Sequence, residues 1–301
     1  MVAMAAAAAG LGAACMPAPP SPAVPERGRV KGSSHLAWAW KFSTDGAPDK
    51  IASVLAQNNM GIILKTHTGT EWMSTQDPSY HAVSGPLQVA VLAGYFEKYG
   101  VPFHTYCVVQ GIDPQKEAEM CAQVIGAGAR SIFVDLEPYD GYYQGTPQSA
   151  LAFGQEFRRQ QPDGNLILCV EPRPWQVSRV PLAEFASFSQ GIAPMCYWET
   201  FSSDENVRLF QEHGLPPGPD GITPEFLLDV CGSMFGGYGL PIQPIGQGAS
   251  TNHDAWVHFV SHTYALGMGP VSVWRYGVAA DHVWPLLKYC TPPDHSWEGD
   301  S

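Results

Sequence analysis

The sequence predicts an α/β fold, a single-domain (β/α)8 barrel over residues 32–290, and three observations lead to this prediction. Eight short runs of apolar, β-branched or aromatic residues have the length and composition of buried strands. Segments with helical spacing separate these runs. The runs start mostly 26 to 40 residues apart, which is the length of one strand–helix unit.

The eight predicted strands are apolar on both faces, which is typical of parallel strands covered on both sides. They are residues 35–42, 61–68, 101–110, 131–137, 165–171, 191–199, 240–247 and 270–276. Eight such units in about 260 residues match a closed barrel. An open doubly wound sheet is the alternative, but residues 41–47 after the first strand lack a glycine-rich phosphate loop.

Helix-start signals precede four of the predicted helices. These helices are residues 50–59 after Ala47-Pro48-Asp49, 115–127 after Asp113-Pro114, 148–160 after Thr146-Pro147, and 253–266 after Thr251-Asn252. Glycines 100, 128 and 267 follow helical segments just before the next strand, as helix ends commonly require. The interval between the sixth and seventh strands is longer, and residues 215–221 and 232–239 within it are interpreted as an inserted loop.

Composition excludes several functional classes. The chain has 301 residues, of which 45% are hydrophobic and 15% charged, so it can bury a large core. Its net charge of −12 disfavours nucleic-acid binding, because the phosphate backbone is also negative. Its apolar runs are far shorter than the roughly 20 residues of a membrane span. We therefore expect no nucleic-acid partner and no membrane-spanning segment.

The cysteines and the two ends of the chain bear on the compartment. Seven cysteines without a CxxC pair indicate free, buried thiols and fit a reducing compartment. Residues 1–31 are Ala/Pro-rich and are interpreted as a flexible tail or linker, and residues 291–301 as a C-terminal tail. Residues 11–15 resemble a lipoprotein cleavage box, but no Lys or Arg precedes them. A cytoplasmic or particle-associated location is favoured over export.

Polar and aromatic residues recur at the carboxyl ends of the predicted strands, where a (β/α)8 barrel places its active site. In the fourth strand, Asp135 and Glu137 are two residues apart and therefore point the same way. Two carboxylates held close together against apolar walls raise each other's pKa, which can produce a general acid near neutral pH. The alternative is a structural role, with Asp135 capping a turn and Glu137 paired with Lys65 or Arg275.

Further strand-end residues are candidates for substrate binding. An indole ring can stack on the apolar face of a sugar, while carboxylates, amides and phenols bind its hydroxyls, although tryptophans also fill cores. The candidate binding residues are Trp40, Lys65, His67, Tyr106, Glu171, Trp198, Glu199, Gln247, Trp274 and Tyr276. Trp72 and Trp175 also follow predicted strands.

The remaining motifs give no metal or cofactor site. His258 and His262 are four residues apart on a predicted helix, which fits surface residues better than metal ligands. No serine lies in a GxSxG elbow, so a serine hydrolase is not predicted. The prediction therefore includes no cofactor and no metal.

At these positions the sequence resembles two families of barrel glycosidases that act on N-acetylhexosamine polymers. Val134-Asp135-Leu136-Glu137 resembles the DxE motif shared by family 18 chitinases and family 25 muramidases. Met195-Cys196-Tyr197 and Trp274 resemble chitinase positions, and Ile63-Leu64-Lys65-Thr66 with Gly69 is similar to a muramidase motif. Two departures are Arg130 and Phe133, where the chitinase motif has acids, and the first strand lacks the muramidase aspartate.

The resemblance implies a mechanism and a set of roles. Glu137 is implied as the proton donor, Asp135 as the group that orients the substrate's acetamido group, and Tyr197 as its hydrogen-bond partner. The leading hypothesis is a glycoside hydrolase of a chitin-like or peptidoglycan-like polysaccharide. One alternative is a non-catalytic glycan-binding or structural barrel in a phage or secretion assembly. Another is a two-carboxylate hydrolase that uses Glu171 or Glu199 as nucleophile or base.

Overall fold

The computed structural model describes residues 34–290, and the predicted tails at 1–31 and 291–301 lie outside the described residues. Its central feature is a closed barrel of eight parallel strands, in which the first strand pairs with both the second and the last. The barrel strands are β1 (Leu36–Ala39), β2 (Gly61–Thr68), β4 (Phe103–Val108), β5 (Ile132–Leu136), β6 (Leu166–Val170), β7 (Gly191–Cys196), β8 (Ile245–Gln247) and β9 (Ser272–Trp274). The predicted (β/α)8 barrel is confirmed.

A ninth strand, β3 (Glu71–Trp72), folds back antiparallel on the end of β2 and stands outside the barrel ring. Gly69 forms the turn with φ +54°, and a Cβ at this position would lie 2.2 Å from the Gln110 side chain. The left-handed backbone angle favours glycine here, and a larger residue would also displace the end of the Gln110 side chain.

Helices surround the barrel and cover its outer surface. They are α1 (Phe42–Asp45), α2 (Pro48–Gln57), α3 (Pro86–Lys98), α4 (Pro114–Gly126), α5 (Pro147–Gln160), α6 (Pro174–Val177), α7 (Leu182–Ala186), α8 (Asp204–Glu212), α9 (Pro224–Phe235), α10 (His253–Ala265) and α11 (Val283–Tyr289). Most of the longer helices carry a proline in their first turn, and Asp113 and Thr146 cap α4 and α5 through their side chains, as the sequence predicts. Within residues 34–290, no helix has the length and hydropathy needed to cross a bilayer.

Seven of the eight barrel strands are shorter than the sequence predicts, and two of them show the reasons. The predicted strand at 240–247 is reduced to Ile245–Gln247, because Pro241 and Pro244 have no N–H to donate to a strand ladder. The first strand ends at Ala39, since the chain turns into α1 three residues later.

The loop that the sequence predicts between β7 and β8 is found only in part: residues 215–221 are irregular as predicted, but the second stretch begins inside a helix. Residues 232–235 belong to α9, which places Gly232 inside a helix. The buried side chains of Leu227, Leu228 and Phe235 hold this helix against the barrel, which outweighs the weak helix propensity of glycine.

The molecule has two apolar cores. The larger lies between the barrel and its helices, and the smaller fills the barrel interior. The interior core includes Trp38, Tyr106 and Phe133, whose rings pack edge to face with centroids 4.8 and 5.3 Å from Trp38. This aromatic layer closes the barrel beneath the carboxyl ends of the strands.

Candidate active site

Strand β5 carries both candidate acids to the carboxyl end of the barrel. Asp135 lies on the same side of β5 as Phe133, a member of the interior core, so Asp135 faces the barrel axis. Asp135 is buried, whereas Glu137, two residues later in the chain, is half-buried. The pair thus spans the boundary between the interior and the solvent-accessible mouth.

Asp135 is a buried carboxyl group with incomplete compensation. It is paired in register with Cys169 of β6, which hydrogen-bonds its side chain, and its Oδ1 has no hydrogen-bond partner among the described residues. Burial raises its pKa to about 7, and the charge of Glu171 adds to the rise, while the nearby Lys65 ammonium opposes it. The unpartnered oxygen is an acceptor that a ligand N–H could satisfy.

Glu137 has the properties of a proton donor. Burial raises its pKa to about 9, and the charges of Asp135 and Glu171 raise it further, while Arg173 and a hydrogen bond with Tyr142 act in the opposite direction. A carboxyl group with this pKa is protonated at neutral pH and can donate its proton to a leaving group.

Glu171 is held in a closed polar cluster. Arg173 donates from Nη2 to Glu171 Oε1 at 2.7 Å and from Nε to Oε2 at 2.8 Å. Tyr139 donates its hydroxyl to the same Oε1 at 2.7 Å. Both carboxylate oxygens are engaged and the charge is neutralised by a bidentate pair, so Glu171 is poorly suited to act as a nucleophile or base.

Glu199 lies at the exposed rim. Its carboxylate accepts from Gln247 Nε2 at 3.1 Å and from the Ser250 hydroxyl at 2.5 Å, and Gln247 Oε1 accepts from the Glu199 backbone N–H. The structure therefore brings the candidate binding residues Glu199 and Gln247 into contact, and it leaves Glu199 exposed whereas Asp135 is buried. The two-carboxylate hypothesis gains no support from Glu171 or Glu199.

Two tyrosines face the acids. Burial is the main cause that raises the pKa of Tyr197 and of Tyr106, and the charge of Asp135 raises both further. The Tyr106 hydroxyl has no hydrogen-bond partner among the described residues. Both phenols are protonated and available as donors beside the carboxyl pair.

Trp274 is half-buried above the aromatic layer of the barrel. Its ring centroid is 5.7 Å from that of Trp38 and 5.9 Å from that of Tyr106. Trp40, also half-buried, lies between two cations, with Lys41 Nζ 4.3 Å and the Arg275 guanidinium 5.3 Å from its ring centroid. Arg275 in turn pairs with the buried Asp45. Both indoles are partly exposed.

Three predicted binding residues point elsewhere. Trp198 is buried between the barrel and α10, with its ring 5.5 Å from Trp256, because it follows the inward-facing Tyr197 and must project to the opposite face. Tyr276 packs on Trp284 of α11. His67 is fully buried on the outer side of β2.

A β-bulge explains the position of His67. The pairing of β2 with β4 shifts between Lys65 and His67, so that His67 lies beside the outward-facing Cys107. A bulge inserts one residue into a strand and reverses the side to which the following side chains point. Lys65 keeps its inward position beside Asp135, whereas His67 does not.

Other aromatic residues also fill the outer layers. Trp72 packs against His67 with ring centroids 5.4 Å apart, and Trp175 packs against Phe210 at 4.9 Å. His258 and His262 pair with Glu225 and Asp229 on the neighbouring helix, which fits the surface role that the sequence predicts.

Three residues near the acids were not predicted from the sequence: Tyr139, Tyr142 and Arg173. Tyr139 and Tyr142 lie in the loop after β5, and Arg173 follows Glu171 by two residues. Two sequence features could have indicated them: the tyrosine-rich loop directly after the DxE strand, and the arginine two residues after the strand-end acid Glu171.

The departures from the chitinase motif have clear positions. Phe133 lies in the aromatic layer beneath Asp135, so an apolar ring occupies the position where the chitinase motif has an acid. Arg130 lies outside the barrel, where it forms a bidentate pair with Glu97. The cation near Asp135 is Lys65, on the neighbouring strand.

Comparison with known proteins gives structural similarity without sequence similarity. No family model and no curated protein matches the sequence. The structure is similar to a family 18 N-acetylglucosaminidase from Paenibacillus barengoltzii, with a TM-score of 0.58 and 8% identity over 86% of this chain and 100% of that chain. It is similar to the catalytic domain of a chitinase from Pyrococcus furiosus, with a TM-score of 0.54 and 11% identity over 88% and 96%.

A third similar structure is the spore cortex-lytic enzyme SleL from Bacillus cereus, with a TM-score of 0.53 and 10% identity over 85% of this chain and 73% of that chain. Identities this low establish a shared fold and nothing finer. The resemblance to barrel glycosidases of family 18 is therefore confirmed at the level of the fold, with a divergent sequence.

Proposed function

We propose that this protein is a retaining glycoside hydrolase of N-acetylhexosamine polymers, with Glu137 as its acid and base. The observation that supports this most strongly is the pairing of a protonated Glu137 with the buried Asp135, whose Oδ1 lacks a partner, at the carboxyl end of the barrel. The structural neighbours include a chitinase, an N-acetylglucosaminidase and a cortex-lytic enzyme, which supports a chitin-like or peptidoglycan-like substrate.

In the proposed first step, the carbonyl oxygen of the substrate's own acetamido group attacks the anomeric carbon. The glycosidic bond breaks, and the leaving oxygen takes the proton of Glu137. Asp135 accepts the acetamido N–H and stabilises its developing positive charge, and the Tyr197 hydroxyl donates to the acetamido oxygen. Lys65 helps Asp135 to remain ionised, because its charge opposes the rise in the pKa of Asp135.

In the second step, water attacks the anomeric carbon, the bond from that carbon to the acetamido oxygen breaks, and Glu137, now a carboxylate, takes the proton of the water. Two inversions leave the anomeric configuration retained, without an enzyme nucleophile, which is a known exception to the two-carboxylate scheme. This route agrees with the engagement of Glu171 by Arg173 and Tyr139. Trp274 would support the sugar at the cleaved bond.

The decisive experiment compares the wild type with Glu137→Gln on soluble N-acetylglucosamine oligomers and on peptidoglycan fragments. We expect kcat/KM for reducing-end release to fall by about 10²–10⁴-fold, the usual contribution of a general acid, while oligomer binding by calorimetry is retained. Glu156→Gln on the surface of α5 is the matched control and should leave the rate unchanged.

A second function, binding without catalysis, is favoured by Phe133 and Arg130 at positions where the chitinase motif has acids. The same experiment separates the two functions. A wild type that binds the oligomers but releases no reducing ends from any of them would support a binding or structural barrel and refute the hydrolase.

A further inference from the structure

A second cluster of reactive side chains lies on the opposite side of the barrel wall from the acids. It consists of His67 on β2, Cys107 on β4 and Cys121 on α4, and we name it the Cys₂His cluster. All three residues are fully buried between the barrel and the helical layer. The proposed hydrolysis uses none of them.

The bulge in β2 creates this cluster. Because the register shifts before His67, its imidazole is placed beside Cys107 instead of in the barrel interior. α4 then brings Cys121 over both, with Cys121 Sγ 3.5 Å from Cys107 Sγ and 3.7 Å from His67 Nε2.

These spacings match a metal coordination sphere. Zinc–sulfur bonds of about 2.3 Å and zinc–nitrogen bonds of about 2.0–2.1 Å at tetrahedral angles require S···S and S···N distances of roughly 3.8 and 3.6 Å. The observed distances of 3.5 and 3.7 Å already lie near both values. A cation could therefore be bound with only small side-chain movements.

A hydrogen-bond chain presents the imidazole as a ligand. The Thr66 hydroxyl donates its proton to the Tyr106 carbonyl oxygen at 3.1 Å, so it must accept from His67 Nδ1–H, 2.8 Å away. Nε2 is then unprotonated and directs its lone pair toward Cys121. Metal-binding histidines are commonly fixed in this way, with one nitrogen donating to a protein oxygen and the other free to coordinate.

Charge balance agrees with a divalent ion. Two thiolates and a neutral imidazole carry a charge of −2, which one divalent cation cancels, and a neutral assembly suits a buried position. Binding would release the two thiol protons to solvent. Thiolate ligands select zinc and cuprous ions over hard cations such as Mg²⁺.

We propose that His67, Cys107 and Cys121 form a structural binding site for a thiophilic d¹⁰ cation that fastens α4 to β2 and β4. Zn²⁺ matches the charge of the site and would take one further ligand, whereas Cu⁺ is satisfied by three donors. The chemistry shared by both ions is coordination by two thiolates and one imidazole. The site is independent of the proposed hydrolysis.

The chain contains a matched control for this proposal. Cys196 of β7 and Cys231 of α9 also lie buried between a barrel strand and a helix, with their sulfurs 3.7 Å apart. Among the described residues, this second pair is not part of a three-ligand cluster. It reproduces the thiol spacing and the burial without the imidazole.

The test uses the full-length protein, reduced and stripped of metal, and titrated separately with Zn²⁺, Cu⁺ and Co²⁺. The wild type and Cys231→Ser should each bind one equivalent, measured by competition with a chromophoric chelator, and Co²⁺ should give thiolate-to-metal charge-transfer bands. Thr66→Val removes the hydrogen-bond partner of His67 and should weaken binding by roughly 10–100-fold. Cys121→Ser removes a ligand and should weaken binding by more than roughly 100-fold.

Circular dichroism checks that each variant is folded, and His67→Gln replaces Cys121→Ser if the latter is not. The relative affinities for Zn²⁺ and Cu⁺ decide which ion the site prefers, and a single site for either supports the proposal. The proposal is overturned if the wild type binds no thiophilic ion at micromolar concentration, or if Cys231→Ser loses binding as Cys121→Ser does. It is also overturned if Cys107 and Cys121 are joined by a disulfide that persists after treatment with a reductant. Glycosidase activity is not a readout in any arm.

Discussion

Glu137 and Glu171 occupy neighbouring positions at the same end of the barrel, but their surroundings differ. Their strands are paired in register one residue earlier, at Leu136 and Val170. Glu171 is neutralised by Arg173 and bound by Tyr139, whereas Glu137 is surrounded by other acids and has a raised pKa. Two glutamates at equivalent positions thus differ in their surroundings. Glu171 forms a structural ion pair with Arg173, whereas burial and the neighbouring acids raise the pKa of Glu137 and Arg173 opposes that rise only in part.

The largest expected effect is the loss of stability when the Arg173 guanidinium is removed. Arg173→Met leaves Glu171 buried without a counterion, since the two side chains are 15% and 5% exposed. We expect the free energy of unfolding to fall by about 3–5 kcal/mol, the usual result of breaking a buried pair, measured by chemical denaturation. Arg159→Met, which breaks the exposed pair with Glu156, is the control and should have a much smaller effect. Equal losses of unfolding free energy in Arg173→Met and Arg159→Met would show that burial adds nothing to the importance of the Glu171–Arg173 pair.

The second prediction is a bell-shaped pH profile of kcat/KM. The proposed mechanism needs Asp135 ionised and Glu137 protonated, so activity should rise through about pH 7 and fall through about pH 9, close to tenfold per unit beyond each limb. Because the groups interact, the two apparent pKa values belong to the pair. Asp135→Asn should reduce activity and move the alkaline limb of the remainder to lower pH, since the Asp135 charge raises the pKa of Glu137. An optimum near pH 4–5 in the wild type contradicts this assignment.

The third prediction concerns stability. The pKa of Glu137 is higher in the folded state than its ordinary value of 4.5, so the folded protein binds more protons than the unfolded chain between about pH 5 and 9. The contribution of this residue to stability is therefore present at acid pH and is lost as the pH rises through about 9. The free energy of unfolding of Glu137→Gln minus that of the wild type should be larger at pH 9 than at pH 5. The expected increase is at least about 1.4 kcal/mol, the equivalent of one pKa unit. The same difference in unfolding free energy between the variant and the wild type at pH 5 and at pH 9 would contradict a raised pKa of Glu137.

The smallest expected effect separates the two tyrosines of the loop. Tyr142 hydrogen-bonds Glu137 and lowers its pKa, whereas Tyr139 donates to Glu171. Tyr142→Phe should move the alkaline limb of the pH profile up, by less than about one unit, the free-energy equivalent of a single modest hydrogen bond. Tyr139→Phe should leave that limb in place, and a shift of the same size in both variants would remove the distinction.

Strand periodicity made much of the site predictable. Asp135 and Glu137 are two residues apart on an apolar strand, so their common direction follows from alternation alone. The same rule should have excluded Trp198, because it is adjacent to Tyr197 and the two cannot both face the axis. His67 was beyond this rule, since a bulge is a property of the pairing between two strands and not of either strand by itself.

The closed parallel barrel and the end at which its acids gather could be predicted from the order of residues alone, because both follow from the repeat of short apolar strands and from their local periodicity. Three features became visible only in the folded chain: which acid is neutralised, which tryptophans are buried in outer layers, and the contact of His67 with Cys107 and Cys121 outside the barrel. These outcomes depend on contacts between residues far apart in the chain, and the burial and charge of such neighbours are set only when the strands and helices have packed.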